Sequence, residues 1–178
     1  MKQRDRVAMT EHEVADLLAG SRKVQVATIN PDGTPHLVTM YYAMRDGRIT
    51  FWTYRTSQKA RNLARDPRLT CLVESGNEYF DLRGVQVQGV ARCIEEPDAV
   101  RDIGLLIAAG MGGLAGLGPG SDAQEQYVAH AARKRAGYIV EPQRISSWDH
   151  SKLLAELAPR RGVEGGSSPL GQTQVPSG

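Results

Sequence analysis

Hydrophobic positions along this chain follow two periods, one helical and one extended, and the changeovers between them mark out the elements. Val14, Leu17 and Leu18 recur at helical spacing behind Thr10 and Glu13, a pair that makes a capping box, so residues 10–20 are predicted to form a short amphipathic helix. From Arg22 the period becomes two. Val24 to Ile29 reads as a strand, and Asn30-Pro31-Asp32-Gly33 supplies the backbone angles of a tight turn. Pro35 to Met44 is then the returning strand, Arg45-Asp46-Gly47 the next turn, and Arg48 to Tyr54 a third strand rich in β-branched and aromatic residues.

Ser57 is placed to cap a helix whose Ala60, Leu63 and Ala64 face the core, and Asp66-Pro67 stops it, because proline disfavours a helical residue before itself. Arg68 to Ser75 and Tyr79 to Ile94 resume strand character, with Val85, Val87, Gly89 and Ala91 alternating with more polar neighbours. Asp98 to Leu117 and Ser121 to Lys134 read as helices around Gly118-Pro119-Gly120, and Gly137 to Trp148 as a last strand. Consecutive short strands joined by tight turns imply a mainly β fold, a six-stranded antiparallel barrel, closed or partly closed, with peripheral helices and the 10–20 helix over one end. The expected domain covers residues 1–157. Residues 158–178 turn to Pro, Gly, Ser and Gln, which bury too little apolar surface to offset their ordering entropy, so a disordered tail is expected there.

Composition narrows the function classes. Apolar residues at 40% and charged residues at 24% are an ordinary globular balance. A formal charge of +2, spread along the chain, argues against a nucleic-acid or membrane surface, so any anion site must be local. Cys71 and Cys93 sit in apolar strand-like runs and read as reduced, buried thiols. A polar Met1–Arg6 with no apolar run behind it, and an Ile103–Leu117 stretch that is short and broken by glycine, suggest a cytoplasmic protein. His12, His36, His130 and His150 are scattered without metal-ligand spacing, so no metal is expected. Gly110 to Gly120 lacks the Gly-Lys-Ser/Thr ending of a phosphate loop, and no Gly-x-Ser-x-Gly elbow occurs.

The stretch richest in chemistry is Thr53 to Leu63, where a strand end feeds a capped helix among basic and polar groups. The free amides of a first helical turn favour an anion, Lys59 and Asn62 lie one turn apart, and Arg55 and Ser57 stand on the other side. A plain helix cap with a solvated charged face has the same local spacing, and on that spacing alone it is the commoner reading.

Three segments in combination go further: Val26-Ala27-Thr28-Ile29-Asn30-Pro31-Asp32-Gly33-Thr34-Pro35-His36, then Thr53-Tyr54-Arg55-Thr56-Ser57-Gln58-Lys59-Ala60-Arg61-Asn62-Leu63-Ala64-Arg65-Asp66-Pro67-Arg68, then Ile145-Ser146-Ser147-Trp148-Asp149-His150. In order and separation they resemble the pyridoxamine-phosphate-oxidase-like superfamily, whose fold is the FMN-binding split β-barrel. The resemblance spans roughly residues 10–150. It implies that Arg55, Ser57 and Lys59 hold a cofactor phosphate, with Thr53 and Asn62 nearby. It also implies that the backbone of His36, Leu37, Val38, Thr39 and Met40 lies along a flavin-like ring. Such proteins are homodimers with the cofactor at the subunit interface, so Trp148 and His150 are expected to complete the partner's pocket.

The wording of the 61–68 segment and of Ser-Trp-Asp-His looks like the deazaflavin branch, which uses coenzyme F420. The arginine and histidine motifs of true pyridoxamine phosphate oxidases have no match. The implied function is an oxidoreductase that passes a hydride from reduced F420 to an unsaturated small-molecule acceptor. An FMN-dependent oxidoreductase of the same fold and a non-catalytic cofactor carrier are the alternatives. Arg61, Arg65 and Arg68 would suit the acidic tail of F420, or serve as a solvated helix face. His36, Tyr41 and Tyr42 are nominal proton donors, and no catalytic acid is singled out.

Overall fold

The computed structural model describes residues 3–112 and 117–157. The expected tail and part of the expected 98–117 helix lie outside the described residues. The N-terminal part holds α1 (Gln3–Val7), α2 (Glu11–Gly20), β1 (Lys23–Ile29), β2 (Pro35–Tyr41), β3 (Ala43–Arg45) and β4 (Arg48–Tyr54). The remainder holds α3 (Gln58–Arg65), β5 (Arg68–Ser75), β6 (Arg83–Ile94), α4 (Pro97–Gly110), α5 (Asp122–Ala132), β7 (Arg135–Asp149) and α6 (Ser151–Leu157).

The strands form one antiparallel sheet in the order β2-β1-β5-β6-β7-β4-β3. Seven strands stand where the sequence pattern predicts six, because the expected 35–44 strand breaks at Tyr42. Its buried phenol donates to the Leu18 carbonyl at 2.5 Å, and the chain leaves β1 to pair with β4. The two edges of the sheet are thus successive pieces of chain, and the sheet must curl on itself to bring them together. The result is a split β-barrel with peripheral helices. It opens where β7, paired with β4 only from Arg135 to Ile139, runs on along β6 to Asp149.

Alternation fills the barrel. Val24, Val26, Phe51, Val73, Val85 and Val140 point inward and are essentially inaccessible, and Phe51 stacks on Tyr138 with centroids 5.4 Å apart. α2 is held as expected: the Thr10 hydroxyl accepts from Glu13 N, the Glu13 carboxylate accepts from Thr10 N, and Leu17 and Leu18 enter the core. α4 packs outside β4, where Gly104 lets the Trp52 indole approach, since a Cβ there would lie 2.6 Å from the ring. No described helix is long and apolar enough to cross a membrane.

Three expectations change in detail. Residues 79–82 are a turn rather than strand, because the Asp81 carboxylate accepts from Asn77 N and Glu78 N and Gly76 takes a φ of +100°. The helix expected over 98–117 is α4, which ends at Gly110. Cys71 is buried, but Cys93, near the end of β6, is exposed.

Candidate functional site

The junction of β4 and α3 is built by short polar contacts. Ser57 caps α3, its Oγ accepting from Ala60 N at 3.3 Å, and lies 3.2 Å from the Thr53 hydroxyl. Lys59 Nζ donates to the same Thr53 Oγ1 at 3.2 Å. Lys59 is half-buried, and no carboxylate pairs with it among the described residues. Burial holds its pKa below the ordinary lysine value, the sign of a cation that has lost water without gaining a counter-charge.

Asn62, expected near the phosphate, keeps its place one turn from Lys59 but turns its side chain inward. It is fully buried, Nδ2 donates to Thr28 Oγ1 at 3.1 Å and Asn30 Oδ1 at 3.0 Å, and Oδ1 accepts from Gln58 Nε2 at 2.9 Å. With its amide so occupied, it fastens α3 to β1 and the following turn rather than offering a hand to a ligand. Arg55 also departs from the expected cradle. Its Nε donates to the Arg135 carbonyl and one Nη to the Glu95 carbonyl, both at 3.0 Å, while the other Nη faces the Glu95 carboxylate at 3.5 Å. Of Arg61 and Arg65 on α3 and Arg68 at the start of β5, Arg65 donates to the Ile29 carbonyl and Arg68 pairs with Asp66 at 2.7 Å, which leaves Arg61 exposed and without an ion pair among the described residues.

A basic run that the motif reading passed over joins this end. Arg55 N donates to the Lys134 carbonyl at 3.1 Å, so Arg133 and Lys134 emerge exposed beside the junction. Arg135 is sandwiched between the Trp52 and Tyr54 rings, 4.4 Å from each centroid. The run Arg-Lys-Arg at 133–135 was the available signal; its distance from residue 55 in sequence hid the connection.

β2 is an edge strand, and its other edge is unpaired among the described residues. His36, Val38 and Met40 are half-buried while Leu37 and Thr39 are exposed. His36 stands opposite Thr28, whose hydroxyl is bonded to Asn62, so β2 begins beside α3 and leads away from it. Tyr42 is withdrawn from the proton-donor role, being buried, bonded to Leu18 and pushed up to about 12 by desolvation, whereas Tyr41 is exposed.

Trp148 and His150 lie at the opposite end of the sheet. Trp148 pairs with Gly84, whose lack of a side chain makes room for the indole. His150 Nδ1 lies 2.9 Å from the Tyr79 carbonyl, and its ring packs on Tyr79 at 4.7 Å. α3 meets the sheet where Arg68 faces Val90, six strand residues from Gly84, or roughly 20 Å. One chain therefore does not bring these two residues to Lys59. The neighbouring Tyr79 and Phe80, an exposed edge-to-face pair, were not singled out by any motif.

Residues 10–161 match the family model described as pyridoxamine 5'-phosphate oxidase. Among solved structures, a conserved hypothetical protein from Mycobacterium tuberculosis is 42% identical, with a TM-score of 0.77 over 93% of this chain and 98% of that one. An F420 reductase is 24% identical, with a TM-score of 0.57 over 74% of this chain and 94% of its own. A heme storage protein from Vibrio cholerae is 15% identical, with a TM-score of 0.56 over 79% of this chain and 97% of its own. The last two share the fold alone, and their different names show that the fold does not fix the ligand. No curated protein matches the sequence.

Proposed function

This chain belongs to the pyridoxamine 5'-phosphate oxidase family, and on that premise we propose that it is an oxidoreductase using a phosphate-bearing flavin-type cofactor, coenzyme F420 before FMN, with an unsaturated small molecule as acceptor. The observation that carries the reading is Lys59, a half-buried cation with a hydroxyl for a neighbour and no counter-ion among the described residues. A phosphate there would supply the missing charge, and the Ser57 and Thr53 hydroxyls supply further polar contacts. The donor set therefore fits a phosphate. Arg55 joins it only by releasing Glu95.

A reduced deazaflavin, when bound, supplies a hydride and resists oxygen. The protein's share is placement. Lys59 anchors the phosphate, the Asn62–Thr28 bond fixes the start of β2 relative to that anchor, and the β2 backbone from His36 to Met40 lines the ring. In a homodimer, Trp148 and His150 of the partner subunit would wall the other side, which accounts for their distance from Lys59 within one chain. F420 is preferred because Arg61, Arg133 and Lys134 extend positive charge beyond the phosphate, which suits an acidic tail and has no use in FMN.

The test is a fluorescence titration with F420 and FMN side by side. Tight F420 binding with weak FMN binding supports the reading, the reverse moves it to flavin chemistry, and binding of neither overturns it. Turnover with a panel of reducible acceptors then separates an enzyme from a carrier. Sedimentation as a monomer at micromolar concentration would remove the shared pocket.

A further inference from the structure

α3 has a second working face. Flanking the Lys59 side, between the helix and the C-terminal end of β6, lies a cavity of about 290 Å³. Its walls are mostly small: Ala60 and Ala64 from α3, Ala91 from β6 and Ala136 from β7, with Leu63 and Tyr138 completing the lining. Its mouth is polar, formed by Arg55, Glu95 and Cys93. Four alanines beside Leu63, where larger apolar side chains would close the gap, leave an apolar chamber of ring size, at the low end of small-ligand sites.

The mouth says what head group the chamber takes. Arg55 is held in place by two backbone carbonyls, and its remaining guanidinium face meets one carboxylate, that of Glu95, at 3.5 Å, beyond good hydrogen-bond length. The Glu95 side chain is 69% exposed, so water already screens this pair. We propose that this cavity is a small-molecule site, separate from the phosphate anchor, for a compact monocarboxylate whose apolar body enters the alanine chamber and whose carboxylate displaces Glu95 from Arg55. A planar guanidinium donates two parallel bonds to a carboxylate, a geometry the Glu95 side chain does not reach here. Burial pushes the Tyr138 phenol up, so this part of the lining stays neutral and does not repel an anion.

Cys93 at the mouth provides the readout. It is the single exposed thiol of the two in the chain, since Cys71 is buried and its thiol is pushed up to about 12. The experiment follows N-ethylmaleimide modification of Cys93 in the full chain without cofactor, with benzoate as probe and benzyl alcohol as its uncharged match. Benzoate should slow the reaction along a saturable curve, roughly elevenfold at about ten times its Kd by mass action. Benzyl alcohol should protect far less. Ala64→Phe, at the exposed rim, should remove benzoate protection while leaving the melting temperature near that of the parent. Should that variant fail to fold, Arg55→Gln serves instead, and benzoate should then protect no better than benzyl alcohol. No saturable slowing, or equal protection by both probes in the parent, overturns the proposal. Because no cofactor is present, neither result depends on the F420 reading.

Discussion

Two lysines stand at opposite ends of the barrel and are treated in opposite ways. Lys152, just past the end of β7, donates to the Glu13 carboxylate at 2.7 Å and to the Ala8 carbonyl at 2.8 Å. Lys59, at the α3 end, has the Thr53 hydroxyl and no carboxylate among the described residues. Both are partly buried lysines that a substitution table treats alike. The charge of Lys152 is consumed in tying the N-terminal helices to the end of β7, whereas that of Lys59 is left over, in a place where leaving it over costs hydration. A cation retained under that cost, with its neighbours held by a satisfied network around Asn62, is what the proposed phosphate anchor requires.

The contrast can be broken in four ways. The largest effect is expected from Asn62→Leu, which strands the Thr28, Asn30 and Gln58 polar groups and should lower stability by about 3 kcal/mol, read as a fall in melting temperature. A stability near that of the parent would mean that α3 is not fastened by this network. Next, Lys59→Ala should weaken cofactor binding by about 1–3 kcal/mol while leaving the melting temperature unchanged or higher. Lys152→Ala should do the reverse, lowering the melting temperature with affinity kept. If both variants lose stability alike, the two lysines are equivalent and the comparison fails. His150→Ala should cost under about 1 kcal/mol of stability, since one hydrogen bond is lost, yet weaken cofactor binding if the proposed homodimer forms. Titration and sedimentation on the same sample would check it.

The smallest effects are in pH, and their shape is opposite at the two ends. Glu13 is lowered from 4.5 to about 2, first by its bond from Lys152, so its contribution is present above the ordinary value and lost as pH falls through that window. Lys152→Met should flatten the acid limb. Lys59 is lowered, so the unfolded chain binds the proton more readily, and stability should rise with pH toward the ordinary lysine range. Lys59→Met should flatten the alkaline limb, while in the parent anion binding should fade at a lower pH than an exposed lysine would allow. Chemical denaturation across pH measures both.

Features carried by residues close in sequence were legible before the structure. The Thr10–Glu13 box, the Ser57 cap and the Asn30–Gly33 turn are each decided within four residues, and each stands where the pattern puts it. What was missed depends on partners far along the chain. The strand break at Tyr42 answers to Leu18, 24 residues back, and Arg55 turns toward Glu95, 40 residues on. The site was legible to the same extent. Ser57, Thr53 and Lys59 come together because one turn joins them, but that Asn62 looks inward to Thr28, and that Trp148 and His150 stand at the far end, follows from the folding of β1 and β7.

Lys152 touches Ala8 and Glu13 across separations of 144 and 139 residues, so the described chain nearly meets itself. The order of its elements is close to circular. A gene rewired to join the α6 side to the α1 side, and to begin instead at the exposed Gly33 turn, would retain every strand pairing, the core and the Lys59 junction, with β2 as its first strand and β1 as its last. Where this polypeptide begins is thus a property of its gene, and the barrel itself has no first residue.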